Sequence, residues 1–188
     1  MPKVTVWETP KAGSLANLVQ KQRPLPPLSA GHLRVQVHAV GLNFADIFAL
    51  TGLYSATPEG AFIPGLEFAG TVIGTGSDTD NTDSAFQIGD RVMGVTRFGG
   101  YCSIIDSEPD YLIPLPDDWS FAQGAAFPAQ TLTAWYALTT LGAIQPEQRV
   151  LIHSAAGGVG LQAMKLATLL GANPVGTCLL YTSDAAAE

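Results

Sequence analysis

The sequence has few cysteines, few positive charges and no long run of apolar residues. Its 188 residues include two cysteines, Cys102 and Cys178, which excludes a disulfide scaffold and a cysteine-rich zinc site. Nine Lys and Arg stand against 16 Asp and Glu, and the net charge of −7 argues against nucleic acid or an anionic membrane as the main partner. No apolar run is long enough to span a bilayer, and the N-terminus carries no apolar signal core. We therefore expect a soluble protein of a reducing, cytoplasmic compartment.

The first 120 or so residues have the pattern of a small domain built from short strands. Residues 32–40 alternate between apolar and polar side chains with a period of two, which predicts a half-buried strand. The surrounding sequence is rich in Gly and Pro, and turn residues separate its short apolar runs, as in a small barrel or sandwich. A short helix is predicted over residues 43–50, and further strands over residues 70–73, 91–95, 101–105 and 111–113.

After this part the pattern changes to helix, strand and helix. Residues 131–141 predict a helix that ends at Gly142. Residues 149–153 carry a continuous apolar core, Val150 to Ile152, which predicts a strand covered on both faces. The helix expected from Gly157 to Leu170 is apolar except for a narrow polar stripe, so we expect it to be buried on more than one side. Residues 171–177 are interpreted as the turn into the next strand, and the whole segment as the opening of a parallel βαβ unit.

The loop between this strand and this helix fits the dinucleotide-binding fingerprint, with Ala155 in place of the first glycine. Gly157 lets the main chain approach a pyrophosphate without an intervening Cβ, and Gly160 lets the helix pack tightly on its strand. The helix N-terminus offers N–H groups and the positive end of its dipole to the phosphates. A plain tight turn is the alternative, but the flanking strand and helix favour dinucleotide binding. The expected cofactor-binding residues of this loop are Ala156, Gly157, Gly158, Val159 and Gly160.

Several short motifs are shared with one superfamily of enzymes. They are Gly41-Leu42-Asn43-Phe44-Ala45-Asp46, Gly52-Leu53-Tyr54, Pro64-Gly65-Leu66-Glu67, Gly89-Asp90-Arg91-Val92, Leu132-Thr133-Ala134-Trp135-Tyr136 and the run from His153 to Gly160. With these motifs the chain resembles, as far as Thr177, the medium-chain dehydrogenase/reductase superfamily in its zinc-independent quinone oxidoreductase-like branch. The resemblance implies a GroES-like β-barrel catalytic domain of α+β class over residues 1–127. It also implies the first βα(β) unit of a truncated Rossmann NAD(P)-binding domain, of α/β class, over residues 128–177.

The resemblance also leads to expectations about a metal ion and about the cofactor. The positions that hold the catalytic zinc in zinc alcohol dehydrogenases match Asn43, Leu66 and Ala129 here, and Leu and Ala cannot ligate zinc, so we expect no metal. Without a Lewis acid, alcohol oxidation is difficult, whereas hydride addition to a quinone or an enone needs only a few hydrogen-bond donors. The resemblance therefore implies an NADPH-dependent reductase of quinones or other α,β-unsaturated carbonyls. The choice between NADPH and NADH stays open, because the residue that distinguishes them lies beyond Thr177.

The resemblance further implies roles for individual side chains. Asn43 and Asp46 would lie at the nicotinamide end of the cofactor, or alternatively cap the short helix that follows them. Asn43 is also a candidate catalytic residue, together with Tyr54, which would donate a hydrogen bond to the acceptor oxygen or else only pack. Thr133 matches a threonine that approaches the nicotinamide ribose or phosphate, with an ordinary helix residue as the alternative. For Glu67 we expect a structural hydrogen bond.

The C-terminal residues have a different character. Residues 178–188 resemble, with a single substitution, the translated read-through of a transposase sequencing adapter. We therefore expect a non-native tail and a longer, homodimeric parent protein; an uninterrupted gene that encodes the same tail would refute this. A Rossmann sheet needs more chain than is present, so we expect the 188-residue chain to bind dinucleotide weakly or not at all. A second hypothesis for the parent is a non-catalytic dinucleotide-binding protein of the vesicle amine transport protein type, acting through partners.

Overall fold

The fold was analysed in a computed structural model that describes residues 2–76 and 86–178. The chain divides into two compact units, Met1–Pro128 and Ala129–Glu188. Each unit is described by itself below. The predicted non-native tail lies, apart from Cys178, outside the described residues.

The first unit is built mainly from antiparallel strands. Strands β1 and β2 form a two-stranded hairpin, and five further strands form one sheet in the order β6-β3-β4-β5-β7. The strand bounds are β1 Lys3–Glu8, β2 Val19–Pro24, β3 Leu33–Val40, β4 Glu67–Thr75, β5 Arg91–Val95, β6 Ile104–Ser107 and β7 Leu112–Pro114.

One buried cluster of the first unit lies on one face of this sheet, and a second cluster, which includes Ala69 and Met93, lies on the other face. Leu33 and Val35 of β3 are fully buried with Phe68 and Val72 of β4, while Gln36, the residue after Val35, is exposed. This is the result of the period-two alternation, which sends successive side chains of a strand to opposite faces. The predicted strand over residues 32–40 is therefore confirmed as β3.

Two helices accompany these strands. Helix α1, Phe44–Thr51, begins at Asn43 and ends at Gly52, which has a left-handed backbone. Helix α2, Phe121–Ala125, begins with a capping box between Ser120 and Gln123. The capping box satisfies N–H groups that the first turn of a helix leaves without partners.

The second unit contains one parallel pair of strands. Helix α3, Pro128–Trp135, begins at the last residue of the first unit and continues into a wider π-helical turn, Tyr136–Leu141. Strand β8, Arg149–His153, is followed by helix α4, Gly158–Leu169, and by strand β9, Asn173–Thr177. Strands β8 and β9 pair in parallel, which confirms the predicted opening of a βαβ unit.

Two local predictions are wrong. Residues 101–103 run beside β1, where the Trp7 N–H donates to the Tyr101 carbonyl at 2.9 Å, so β6 begins only at Ile104. Residues 173–177 form β9 instead of a turn. Pro174 lacks an N–H, but it is tolerated within β9 because both strands of a two-stranded pair are edge strands.

The second unit buries less of its strand and helix than their apolar patterns alone predict. Leu151 of β8 is 58% exposed, so this strand is not covered on both faces. Helix α4 buries only the stripe formed by Gly160, Ala163 and Ala167, and Leu169 is 81% exposed. The reason is that two strands offer the helix one face to pack against.

Candidate functional site

The glycine loop links β8 to α4 by a tight turn. Ser154 takes a positive φ of 54°, and its carbonyl oxygen accepts a hydrogen bond from the Gly157 N–H at 2.8 Å. The first bond of α4 runs from the Leu161 N–H to the Gly157 carbonyl at 2.8 Å. The N–H groups of residues 158–160 precede this bond and, as in any first helical turn, lack intrahelical acceptors. They form the kind of N-terminus that binds anions.

Small residues are required where this turn meets the strands. A Cβ on Gly160 would lie 2.2 Å from the Ser154 carbonyl oxygen, so the helix could not pack as it does. A Cβ on Gly176 of β9 would lie 2.6 Å from the Ala155 Cβ. The methyl group of Ala155 therefore occupies space that Gly176 leaves open. This explains why the first glycine of the fingerprint can be an alanine in this chain.

One face of α3 borders the same loop. The side-chain amide of Gln130 lies so close to Gly158 that a Cβ there would meet it at 2.5 Å. Thr133 follows three residues later, so it lies on the same side of α3 as Gln130. Its exposed hydroxyl donates to the Ala129 carbonyl at 2.7 Å and keeps an oxygen that can accept. Thr133 and the loop are thus near each other within the second unit.

In the first unit, Asn43 and Asp46 belong to one hydrogen-bonded network. Asp46 is 2% exposed, and its Oδ2 accepts hydrogen bonds from the Asn43 N–H at 2.9 Å and from the Tyr101 hydroxyl at 3.0 Å. Its Oδ1 accepts from the Gly65 N–H at 3.1 Å. Asp46 therefore caps α1, which was one of the two roles considered for it. Its carboxylate fixes the start of the helix by accepting hydrogen bonds from three donors.

The side chain of Asn43 points elsewhere. Its Nδ2 donates to Oε1 of Glu67 at 2.9 Å, and Glu67 is fully buried at the start of β4. The pKa of Tyr101 is raised, first by burial, then by Asp46 through its charge and hydrogen bond, and last by the charge of Glu67. The Tyr101 hydroxyl consequently stays protonated at neutral pH and can keep donating to Asp46.

Tyr54 lies three residues after the end of α1. Its ring packs against a cluster that includes Ala49, Leu50 and Phe62. Asn43 and Tyr54 are at opposite ends of α1, whose eight residues span about 12 Å. Packing alone thus holds the Tyr54 ring in place, and its position does not depend on a hydrogen bond from its hydroxyl.

An apolar cavity of about 500 Å³ also lies within the first unit. Its lining includes Trp7, Val37, Val40, Leu42, Tyr101 and Cys102. Burial raises the pKa of the Cys102 thiol to about 12. The thiol is therefore protonated near neutral pH and does not act as a nucleophile.

The residues at the zinc-equivalent positions do not form a metal centre. Asn43 uses its amide nitrogen on Glu67, and Leu66 and Ala129 have no donor atoms. Within residues 2–76 and 86–178, no group of three or more His, Cys, Asp or Glu side chains could hold a metal ion. The donor set thus does not fit zinc. Over the same ranges, no helix is long and apolar enough to cross a membrane.

Comparison with known proteins identifies the first unit. Residues 29–137 match the alcohol dehydrogenase GroES-like domain. The chain belongs to this family. A polyketide synthase of Mycobacterium tuberculosis, whose name describes it as inactive in phenolphthiocerol synthesis, is 43% identical over 163 residues, which are 85% of this chain and 9% of that protein.

Solved structures extend the likeness to both units. The human synaptic vesicle membrane protein VAT-1 homolog-like protein is 28% identical with a TM-score of 0.87, and the match covers 98% of this chain and 59% of that one. Mycobacterial Rv1454c, solved with NADPH, is 30% identical with a TM-score of 0.84 over 95% of this chain and 54% of its own. A Pseudomonas syringae quinone oxidoreductase is 32% identical with a TM-score of 0.81 over 92% of this chain and 52% of its own.

These matches confirm the resemblance to medium-chain dehydrogenase/reductase proteins and the GroES-like plus partial Rossmann fold. An oxidoreductase-like fold is therefore established for this chain. The chain spans little more than half of the solved relatives.

The sequence did not predict that Tyr101 belongs to the network, and it did not predict the partner of Glu67. Tyr101 lies 55 residues from Asp46 in the chain, and only the fold brings its hydroxyl to that carboxylate. Glu67 was expected to make a structural hydrogen bond, but the sequence gives no sign that its partner is Asn43. No local motif encodes a contact between residues that are 24 positions apart.

Proposed function

We propose that the parent protein is an NADPH-dependent, zinc-independent reductase of quinones or other α,β-unsaturated carbonyls. The observation that carries the proposal is the exposed turn of N–H groups at the start of α4, held between β8 and β9 by small residues. The relative solved with NADPH and the quinone oxidoreductase relative support the cofactor and the acceptor class.

Each part of the site has a proposed task. The main chain of Ala156, Gly157, Gly158, Val159 and Gly160 binds the diphosphate, and Thr133 accepts a hydrogen bond from the nicotinamide half of the cofactor. Asn43 contacts the nicotinamide half as well, with Asp46 fixing its backbone. Tyr54 donates a hydrogen bond to the acceptor oxygen, on which negative charge develops. NADPH, when bound, supplies the hydride.

The wider assignments belong to the same proposal. The catalytic domain covers residues 1–127 and the nucleotide-binding domain begins at residue 128. The parent is a cytoplasmic homodimer that works without zinc, which agrees with the donor-free side chains of Leu66 and Ala129.

A second candidate is a non-catalytic dinucleotide-binding protein that acts through partners. The specific observation in its favour is the likeness to the VAT-1 homolog-like protein. Its TM-score is the highest of the three solved structures described above. The two candidates share the dinucleotide site and differ only in turnover.

Consumption of NADPH by the purified parent protein distinguishes these candidates. The assay follows the loss of NADPH absorbance with a panel of quinones and enones, and binding of NADPH is measured in parallel. The reductase predicts oxidation that depends on the acceptor. Binding without turnover for the whole panel favours the second candidate, and the absence of binding contradicts both.

A further inference from the structure

The buried carboxylate of Glu67 occupies a place shaped for it. Glu67 is fully buried, and a Cβ on Gly41 would lie 2.2 Å from its Oε1 and 2.4 Å from the Ala125 carbonyl oxygen. Gly41 thus leaves room for the carboxylate directly beside the chain that leads to Asn43. Burial of an ionised carboxylate is costly unless hydrogen bonds compensate for the lost water. One such bond comes from Asn43 Nδ2.

This bond sets the direction of the Asn43 amide. A carboxylate only accepts hydrogen bonds, so it must face the Nδ2 end of the amide and never the Oδ1 end. The backbone of Asn43 cannot turn to compensate, because its N–H is bound to Asp46, which also receives the Tyr101 hydroxyl. Asn43 is half-buried, and the capping box at the start of α1 directs its side-chain oxygen towards the Asp46 N–H. An amide oxygen has two lone pairs, so one remains for a further donor.

We propose that Glu67 is a positioning residue that holds the Asn43 amide with its nitrogen on the carboxylate and its oxygen at the start of α1, so that Asn43 serves the bound cofactor as a hydrogen-bond acceptor. This inference rests on the proposed function, which assigns Asn43 to the nicotinamide half. The complementary group is a donor, either a ribose hydroxyl or the carboxamide N–H.

A purely structural role of Glu67 makes a different prediction. A neutral glutamine would fill the same volume and could still bond to Asn43. Because glutamine can also donate, either end of the Asn43 amide could then face it. A structural bond would therefore survive Glu67→Gln, whereas the direction of the amide would not be fixed.

The test exchanges the two groups in the parent protein. Glu67→Gln should lower kcat between about 10-fold and 100-fold, with little change in KM for the acceptor, because the acceptor atom is no longer held in place. Asn43→Asp alone should unfold at a lower temperature, because it sets two carboxylates against each other. In the double variant Asn43→Asp/Glu67→Gln, the glutamine donates to the aspartate, and the other aspartate oxygen takes the place of the Asn43 Oδ1. This variant should recover most of the lost kcat.

The matched control is Glu8→Gln. Glu8 is another buried carboxylate of the same unit, 3% exposed and paired with Lys21 at 3.0 Å. Its replacement should leave kcat unchanged. The acetylpyridine analogue of NADPH, which lacks the carboxamide N–H, identifies the donor. If the donor is a ribose hydroxyl, Glu67→Gln lowers kcat with this analogue as well. If the donor is the carboxamide N–H, Glu67→Gln no longer lowers kcat with the analogue.

Two outcomes overturn the inference while the proposed function stands: full activity of Glu67→Gln, or a double variant no more active than Glu67→Gln. An NMR measurement on the 188-residue chain is independent of activity, because the Asn43 side-chain N–H protons should exchange slowly in the wild type and rapidly in Glu67→Gln. Rapid exchange in the wild type also overturns the inference. Wild-type protein that neither binds nor oxidises NADPH, with slow exchange retained, overturns the proposed function instead.

Discussion

Asp46 is the side chain on which the start of α1 depends most. Its carboxylate accepts three hydrogen bonds while being 2% exposed. Asp46→Ala would leave buried donors without partners, and we expect a loss of about 2–5 kcal/mol in the free energy of unfolding. Urea denaturation measures this. Asp118→Ala, an exposed carboxylate, is the control and should change stability by less than about 0.5 kcal/mol; equal effects would contradict the account.

The two cysteines should differ in reactivity. The pKa of Cys102 is raised to about 12 by burial, whereas Cys178 is exposed. Since only the thiolate reacts, alkylation at pH 8 should modify Cys178 first. Below the raised pKa, the labelling rate of Cys102 in the folded protein should grow about tenfold for each unit of pH. Mass spectrometry of the alkylated peptides over a pH series checks this, and rapid labelling of Cys102 at pH 7 would argue against its burial.

At the level of elements, the junction of β8, α4 and β9 makes a prediction about compensation. Gly176→Ala brings two Cβ atoms to 2.6 Å and should destabilise the second unit by about 1–3 kcal/mol. The double variant Ala155→Gly/Gly176→Ala moves one methyl group from the loop to the strand, so it should regain most of this loss. Thermal unfolding followed by circular dichroism is the measurement. A double variant less stable than Gly176→Ala would show that the two residues do not share this space.

The sequence predicted elements best where a single period dominates. The alternation in residues 32–40 gave β3 within one residue, because one face of this strand meets a core and the other meets water. The glycine loop was also predictable, since its spacing is imposed by a turn and a helix start. By contrast, β2 was missed, because its residues Val19–Pro24 are all exposed and show no apolar alternation.

The candidate site could be predicted only in part, for a related reason. Local motifs locate Asn43 and the loop, but Glu67, which bonds to the Asn43 amide, comes from β4, and Tyr101, which bonds to Asp46, comes from the segment before β6. Such contacts arise from strand pairing over long sequence separations. They are a property of the fold rather than of any short pattern.

For the whole molecule, the notable property is the amount of apolar side chain left exposed in the second unit. Leu141, Leu161 and Leu169 are 70%, 49% and 81% exposed. Exposed apolar patches promote association. We expect the 188-residue chain to self-associate at micromolar concentration, as measured by light scattering after gel filtration. Leu169→Lys should reduce the association without changing the circular dichroism spectrum, and a monodisperse monomer of the wild type would contradict this expectation.

The account as a whole depends on the main-chain amides at the start of α4 binding a dinucleotide diphosphate. The most direct measurement is a calorimetric titration of the parent protein with NADPH, compared between Gly157→Ala and Gly74→Ala. A methyl group on Gly157 meets only the Ser154 carbonyl oxygen at 3.2 Å, and one on Gly74 makes ordinary contacts at 3.5 Å, so both variants should fold. We predict wild-type affinity for Gly74→Ala and at least about tenfold weaker binding for Gly157→Ala, since its Cβ separates the main chain from the phosphates. Equal affinities of the two variants would contradict the central claim.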